Sequence, residues 1–208
     1  AVGGAERMLV DIANNTDQNH FSVSVCVTRS NLSLAKELKA GIVCKALNRK
    51  SRFDPAGFVN LASFSRKQKV DIYHAHSRST LSFLIAARFF GFIHAPILFH
   101  DHYGVEFHHI PAWFKGLGRK YIGEYAGVCD DLRTWAERAG IPADRIHVIE
   151  NGVDFSRINH CYTNLRQELE LRPEQKLGIM IGGARYGKGA DLLIESLALS
   201  GLDRSTVI

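Results

Sequence analysis

Apolar and polar positions change period repeatedly along this chain. Ala5, Met8, Leu9, Ile12 and Ala13 recur at helical spacing and would share one face of a helix reaching Asn15. From Phe21 to Val27, apolar residues alternate with Ser, Ser and Cys at the period of a strand. The two periods then keep trading places. The pattern predicts a helix over Ser33–Lys39 closed by Gly41, a strand at Ile42–Val43, a helix over Pro55–Gln68 and a strand over Val70–His74. A helix over Ser79–Phe90, a strand over Pro96–His100 and a helix around Pro111–Lys120 follow. Next come a strand over Tyr125–Cys129, a helix over Asp131–Ala139 with Asp130 as N-cap and Gly140 as its stop, and a strand over Arg145–Ile149. Short strands alternating with helices predict an α/β fold, a doubly wound, mainly parallel, Rossmann-like sheet covered on both sides. Such sheets bind ligands beyond the carboxyl ends of their strands.

Residues 154–173 are polar and charged around one short helical run and read as a linker between residues 1–153 and a second unit, 174–208. In that second unit a strand over Lys176–Met180 leads into Gly182, Gly183, Arg185, Lys188 and Gly189, then a helix to Leu199 and a last strand from Ser205. An apolar run that stops in glycines, offers two cations and turns into a helix is a way to build an anion site. The turn matches neither the P-loop nor a complete dinucleotide fingerprint.

Composition narrows the partners. With 208 residues and 46% hydrophobic content the chain can bury a core, and its net charge of +5 favours anionic ligands. Lys and Arg are scattered, with no nucleic-acid-binding signature, so nucleic acid is not expected as a partner. No apolar stretch approaches the roughly 20 residues a bilayer span needs. Without a signal-type N-terminus, a cytoplasmic protein is expected. Cys26, Cys44, Cys129 and Cys161 form no C-x-x-C pair and read as buried thiols.

The candidate chemistry gathers at strand ends. His100, Asp101 and His102 follow one predicted strand, and His74 and His76 close another on a shared face. One of that second pair is expected to be buried against a backbone carbonyl. Together with His108 and His109, the first cluster offers metal-ligand chemistry, the basis of an alternative reading as a metal-dependent hydrolase using the His100–His109 loop. Trp113, Phe114 and Trp135 are candidate membrane or acceptor contacts, with Trp135 reading as core.

Four motifs in fixed order resemble one family, the group 1 (family four) retaining glycosyltransferases of the GT-B fold. They are Gly3-Gly4-Ala5-Glu6-Arg7, the run Val70 to His76, the run Gly127 to Asp154 ending in Ile149-Glu150-Asn151-Gly152-Val153-Asp154, and the turn with Lys188-Gly189. The resemblance implies a GT-B N-terminal, acceptor-side domain lacking its first strand, plus the start of the second, nucleotide-sugar-binding domain. The family's glutamate pair would lie beyond Ile208. Transfer of a hexose from a nucleotide-diphosphate sugar to an acceptor hydroxyl, with retention, is what the family implies, in glycan or glycolipid biosynthesis. His100 would be the catalytic histidine; Gly3, Gly4, Arg185 and Lys188 would bind the donor diphosphate; His76, Asp101 and His102 would face the acceptor. The interval between Arg185 and Lys188 is shorter than the family's. No metal and no cofactor are expected, the sugar nucleotide being a substrate. The acceptor would be a carbohydrate or lipid-linked, with peripheral contact at the inner face of the membrane. The chain alone is expected to be nearly inactive. A non-catalytic nucleotide-binding α/β module is the alternative from a different class.

Overall fold

The computed structural model describes residues 3–29, 33–102, 109–155, 164–182 and 188–200. The chain divides into two compact units, Ala1–Phe155 and Ser156–Ile208.

In the first unit α1 (Gly4–Asn15) precedes the parallel pair β1 (Ser24–Val27) and β2 (Val43–Ala46). Then come α2 (Pro55–Gln68), β3 (Tyr73–Ala75), α3 (Arg78–Phe89), β4 (Ile97–Asp101), α4 (Arg119–Tyr121), β5 (Ile122–Gly127), α5 (Asp130–Arg138) and β6 (Ile146–Val148). The four later strands form one parallel sheet in the order β3-β4-β5-β6. All of its neighbours are parallel, as βαβ crossovers require. Between β4 and β5 the register slips at Ile97/Leu98, leaving Gly123 as an extra residue.

The helices start where the sequence supplies caps. Asp54 accepts the Ala56 N–H at 3.1 Å, with Pro55 filling the first helical position of α2. Ser77 accepts the Thr80 N–H at 3.1 Å and opens α3. At α5 the cap falls one residue earlier than expected. Cys129 is the N-cap and Asp130 the first helical residue, where its charge complements the helix dipole. Gly140, at φ +85°, ends that helix.

The core lies between the sheet and its helices. Phe58 and Leu61 of α2, Leu81, Phe83 and Ile85 of α3, Ile97 and Phe99 of β4, Tyr125 of β5, and Trp135 and Ala136 of α5 are all buried in it. Phe114 is fully buried and edge-on to Trp135 at 4.8 Å, so it is a core residue rather than a membrane contact.

The helix expected around Pro111–Lys120 forms, wound as a π-helix over Phe114–Gly118 before α4. Two expected elements differ. Ser33–Lys39 makes only a 3-10 turn, Ala35–Glu37, since so short an isolated helix has too few hydrogen bonds to sustain itself. Lys176–Met180 is irregular: among the described residues no neighbouring strand is there to complete a ladder. The second unit contributes α6 (Leu165–Glu168) and α7 (Ala190–Leu199). The strand expected from Ser205 lies outside the described residues.

Candidate active site

Parallel pairing sets Tyr73 beside Ile97, His74 beside Leu98 and Ala75 beside Phe99. Side chains two apart share a face, so His74 and His76 from the end of β3 meet His100 and His102 from the end of β4. The result is a two-by-two block of imidazoles. Ring centroids within each strand lie 4.2 Å (His74–His76) and 4.1 Å (His100–His102) apart. Across the strands, His74 stacks on His100 at 5.4 Å and His76 on His102 at 5.2 Å.

His76 and His100 are buried, whereas His74 is open to solvent. His76 Nδ1 hydrogen-bonds His102 Nε2 at 3.0 Å, so the buried histidine expected to satisfy itself on a backbone carbonyl pairs with another imidazole. Burial first, then the neighbouring rings, pull the pKa values of the two buried rings down from the ordinary 6.5, to about 4 for His100 and about 2 for His76. For His100 a hydrogen bond to the Ile149 backbone acts the other way. Both are therefore neutral near pH 7, able to give or take hydrogen bonds. His100 Nε2 is buried and carries no hydrogen bond. A buried nitrogen left unpaired costs free energy, which a ligand hydroxyl can recover. The imidazole nitrogens of His74, His76 and His100 lie within 4.8 Å of one another, near enough together that they could hold a metal ion.

Asp101 lies behind this block, fully buried. Its carboxylate takes an Arg78 guanidinium N–H at 3.2 Å and the Tyr125 hydroxyl at 3.3 Å. Arg78 in turn lies over the Trp135 ring at 4.4 Å. Burial, then Asp101, keep Tyr125 in its neutral phenol form by pushing its pKa up. The sequence singled out Asp101, but the Arg78–Asp101–Tyr125 arrangement depends on three elements meeting.

Gly3 is the N-cap of α1, and Glu6 reaches back to its N–H at 3.0 Å. A Cβ on Gly3 would come within 2.7 Å of that carboxylate, while one on Gly4 would meet open space. In the first unit a cavity of about 530 Å³ runs from Glu6 past His74 and His76 to Arg29 and Arg49.

A model of glycosyltransferase family 4 matches residues 2–157. The chain belongs to glycosyltransferase family 4. A glycosyltransferase from Rickettsia africae ESF-5 shares 22% identity at a TM-score of 0.71, over 97% of this chain and 55% of that one. Anabaena Alr3699/HepE, solved with UDP-glucose, shares 20% identity at a TM-score of 0.73, over 100% of this chain and 56% of that one. The same protein solved with UDP and glucose matches at 19% identity and a TM-score of 0.73, over 99% of this chain and 56% of that one. The chain thus spans about half the length of these structures. No curated protein matches. The likeness establishes a Rossmann-like α/β fold of the GT-B type, with parallel sheets.

For this family 4 chain, the remaining candidates fall in the second unit. Lys188 is exposed and directly precedes Gly189, whose φ of +77° turns the backbone into α7. Arg185 lies outside the described residues. Among the described residues no helix is long and apolar enough to cross a membrane.

Proposed function

We propose that this chain is part of a glycosyltransferase that moves a hexose from a nucleotide-diphosphate sugar to an acceptor hydroxyl with retention. The observation that carries the reading is the imidazole block at the carboxyl ends of β3 and β4, with His100 Nε2 buried and unpaired, in a chain of family 4. Alr3699/HepE, which shares the fold, binds UDP and UDP-glucose; a uridine nucleotide sugar is accordingly the donor to test first.

In this reading the donor enters as substrate, without a cofactor. Lys188, Arg185 and the Gly3-Gly4 end of α1 stabilise the departing diphosphate, the main charge developed in the transition state. Glu6 must release the Gly3 N–H for a phosphate oxygen to take its place. His100, neutral, positions a hydroxyl of sugar or acceptor through Nε2. His76 and His102 line the acceptor side, and the buried Asp101 holds Arg78 and Tyr125 behind them. The acceptor is a carbohydrate or lipid-linked.

Titration with UDP-glucose tests the donor half. Lys188→Ala should weaken binding by roughly tenfold, as loss of a charge-assisted phosphate contact does. His100→Ala should leave donor affinity within a few-fold and cut turnover on the order of 100-fold. Unchanged turnover in His100→Ala would overturn the proposal. Residues 103–108 of the His100–His109 loop lie outside the described residues, and it is the three convergent nitrogens of His74, His76 and His100 that favour a second reading, a metal-dependent hydrolase. Stoichiometric zinc that survives dialysis, with hydrolysis lost to a chelator, would select it.

A further inference from the structure

Arg49 follows β2 and is 9% exposed. Its Nη2 donates to Ser79 Oγ at 2.5 Å, its plane lies 5.0 Å from the Phe83 ring, and its Nε is buried without a hydrogen bond. The charges acting on it are Arg29 and Arg52, both positive, and with burial they push its pKa down. A guanidinium withdrawn from water is normally matched by an anion, because its desolvation is otherwise uncompensated. Among the described residues no carboxylate supplies that match: Arg78 has Asp101 and Arg7 has Glu37, whereas Arg49 has a serine and an aromatic ring.

The surroundings specify what kind of anion would fit. Arg49 lines the 530 Å³ cavity together with Arg29, Ser77, Ser79 and Thr80. The last three open α3, a helix of twelve residues whose N-terminal end carries partial positive charge. Two guanidinium groups, hydroxyl donors and a helix N-terminus converging on one cavity match the tetrahedral, multiply accepting oxygens of a phosphate better than the flat pair of a carboxylate. Glu6 is the acid on the same cavity wall, and its carboxylate is engaged by the Gly3 N–H.

We propose that Arg49, Arg29 and the first turn of α3 form a phosphate-binding subsite that holds a phosphate ester of the acceptor. That the phosphate belongs to an acceptor rests on the transfer reading above; the site itself does not. His74 and His76 line the same cavity, so a phosphate held at Arg49 would lead the attached acceptor toward the imidazole block.

The test is calorimetric titration of the protein with inorganic phosphate. Arg49→Gln should raise the Kd at least about tenfold, and Arg29→Gln, at an exposed position, a few-fold. Phosphate should also raise the Tm of the wild type and not that of Arg49→Gln. Equal phosphate affinity in wild type, Arg49→Gln and Arg29→Gln overturns the proposal, as does a loss seen only in Lys188→Ala. If UDP-glucose fails to bind while phosphate binding still follows Arg49, the donor reading falls and this subsite stands. Retention on phosphatidylcholine vesicles containing phosphatidic acid identifies a lipid headgroup as the source if it drops with Arg49→Gln; binding confined to soluble phosphate identifies a free phosphate ester. Either result supports the subsite.

Discussion

Four imidazoles packed within van der Waals reach of one another tie the stability of this protein to pH. The buried His100 has a pKa near 4 and the buried His76 one near 2, each depressed first by burial and then by neighbouring rings, against 6.5 in an unfolded chain. Below pH 6.5 the unfolded chain takes up protons that the folded chain refuses, so stability must fall as pH drops from about 6.5 toward 4. Urea-unfolding midpoints measured between pH 7 and pH 4.5 should decline steadily, and His100→Gln should flatten the slope by removing one titrating group. A midpoint independent of pH in this window would mean that the rings are not desolvated as the structure places them. The same neutrality makes His100 a hydrogen-bonding residue near pH 7, with no imidazolium to act as an acid.

At the scale of elements, close packing between β5 and α5 sets the geometry behind the site. A Cβ on Gly127 would sit 2.8 Å from Leu132 Cβ and 3.3 Å from Tyr125 Cε1, and neither neighbour is the free end of a flexible chain. Gly127→Ala should therefore cost about 1 to 3 kcal/mol in thermal or urea unfolding, whereas Gly4→Ala, with open space around its Cβ, should be near neutral. Equal effects of the two would refute the packing argument. These elements were largely legible beforehand because each carries a local signal: Pro55 and Asp54 open α2, Gly140 closes α5, and the His-x-His spacings mark the ends of β3 and β4. The block they build was not legible. That His76 bonds His102, and that Arg78 reaches Asp101 across to Trp135, follows from the strand register and from α5 packing on the sheet, neither of which any single segment encodes. Arg49 was missed for the same reason, since one arginine after a strand gives no sign of burial. The expected strand Lys176–Met180 failed differently: its apolar run is real, but a strand needs a partner, and among the described residues it has none.

Across the whole molecule, burial is unevenly shared. Every residue of the main core cluster falls within Leu47–Ile146, inside the unit Ala1–Phe155. In the second unit α7 has no buried residue, and Leu192, Ile194 and Leu199 are 65%, 68% and 87% exposed. The hydrogen bonds of a ten-residue helix are by themselves marginal in water. Local opening should therefore be far easier in α7 than in the sheet, where opening requires exposing Phe99, Tyr125 and Trp135 together. Amide hydrogen exchange of the chain should show Ala190–Leu199 exchanging at close to the unprotected rate, while the amides of β4 and β5 are slowed by several orders of magnitude. The outcome bears on the donor reading, because Lys188 stands at the start of α7 and must be held in place to grip a diphosphate. Adding UDP-glucose should then slow exchange in α7 selectively; slow exchange there without any ligand would show that the helix is already fixed and that its apolar side chains are covered.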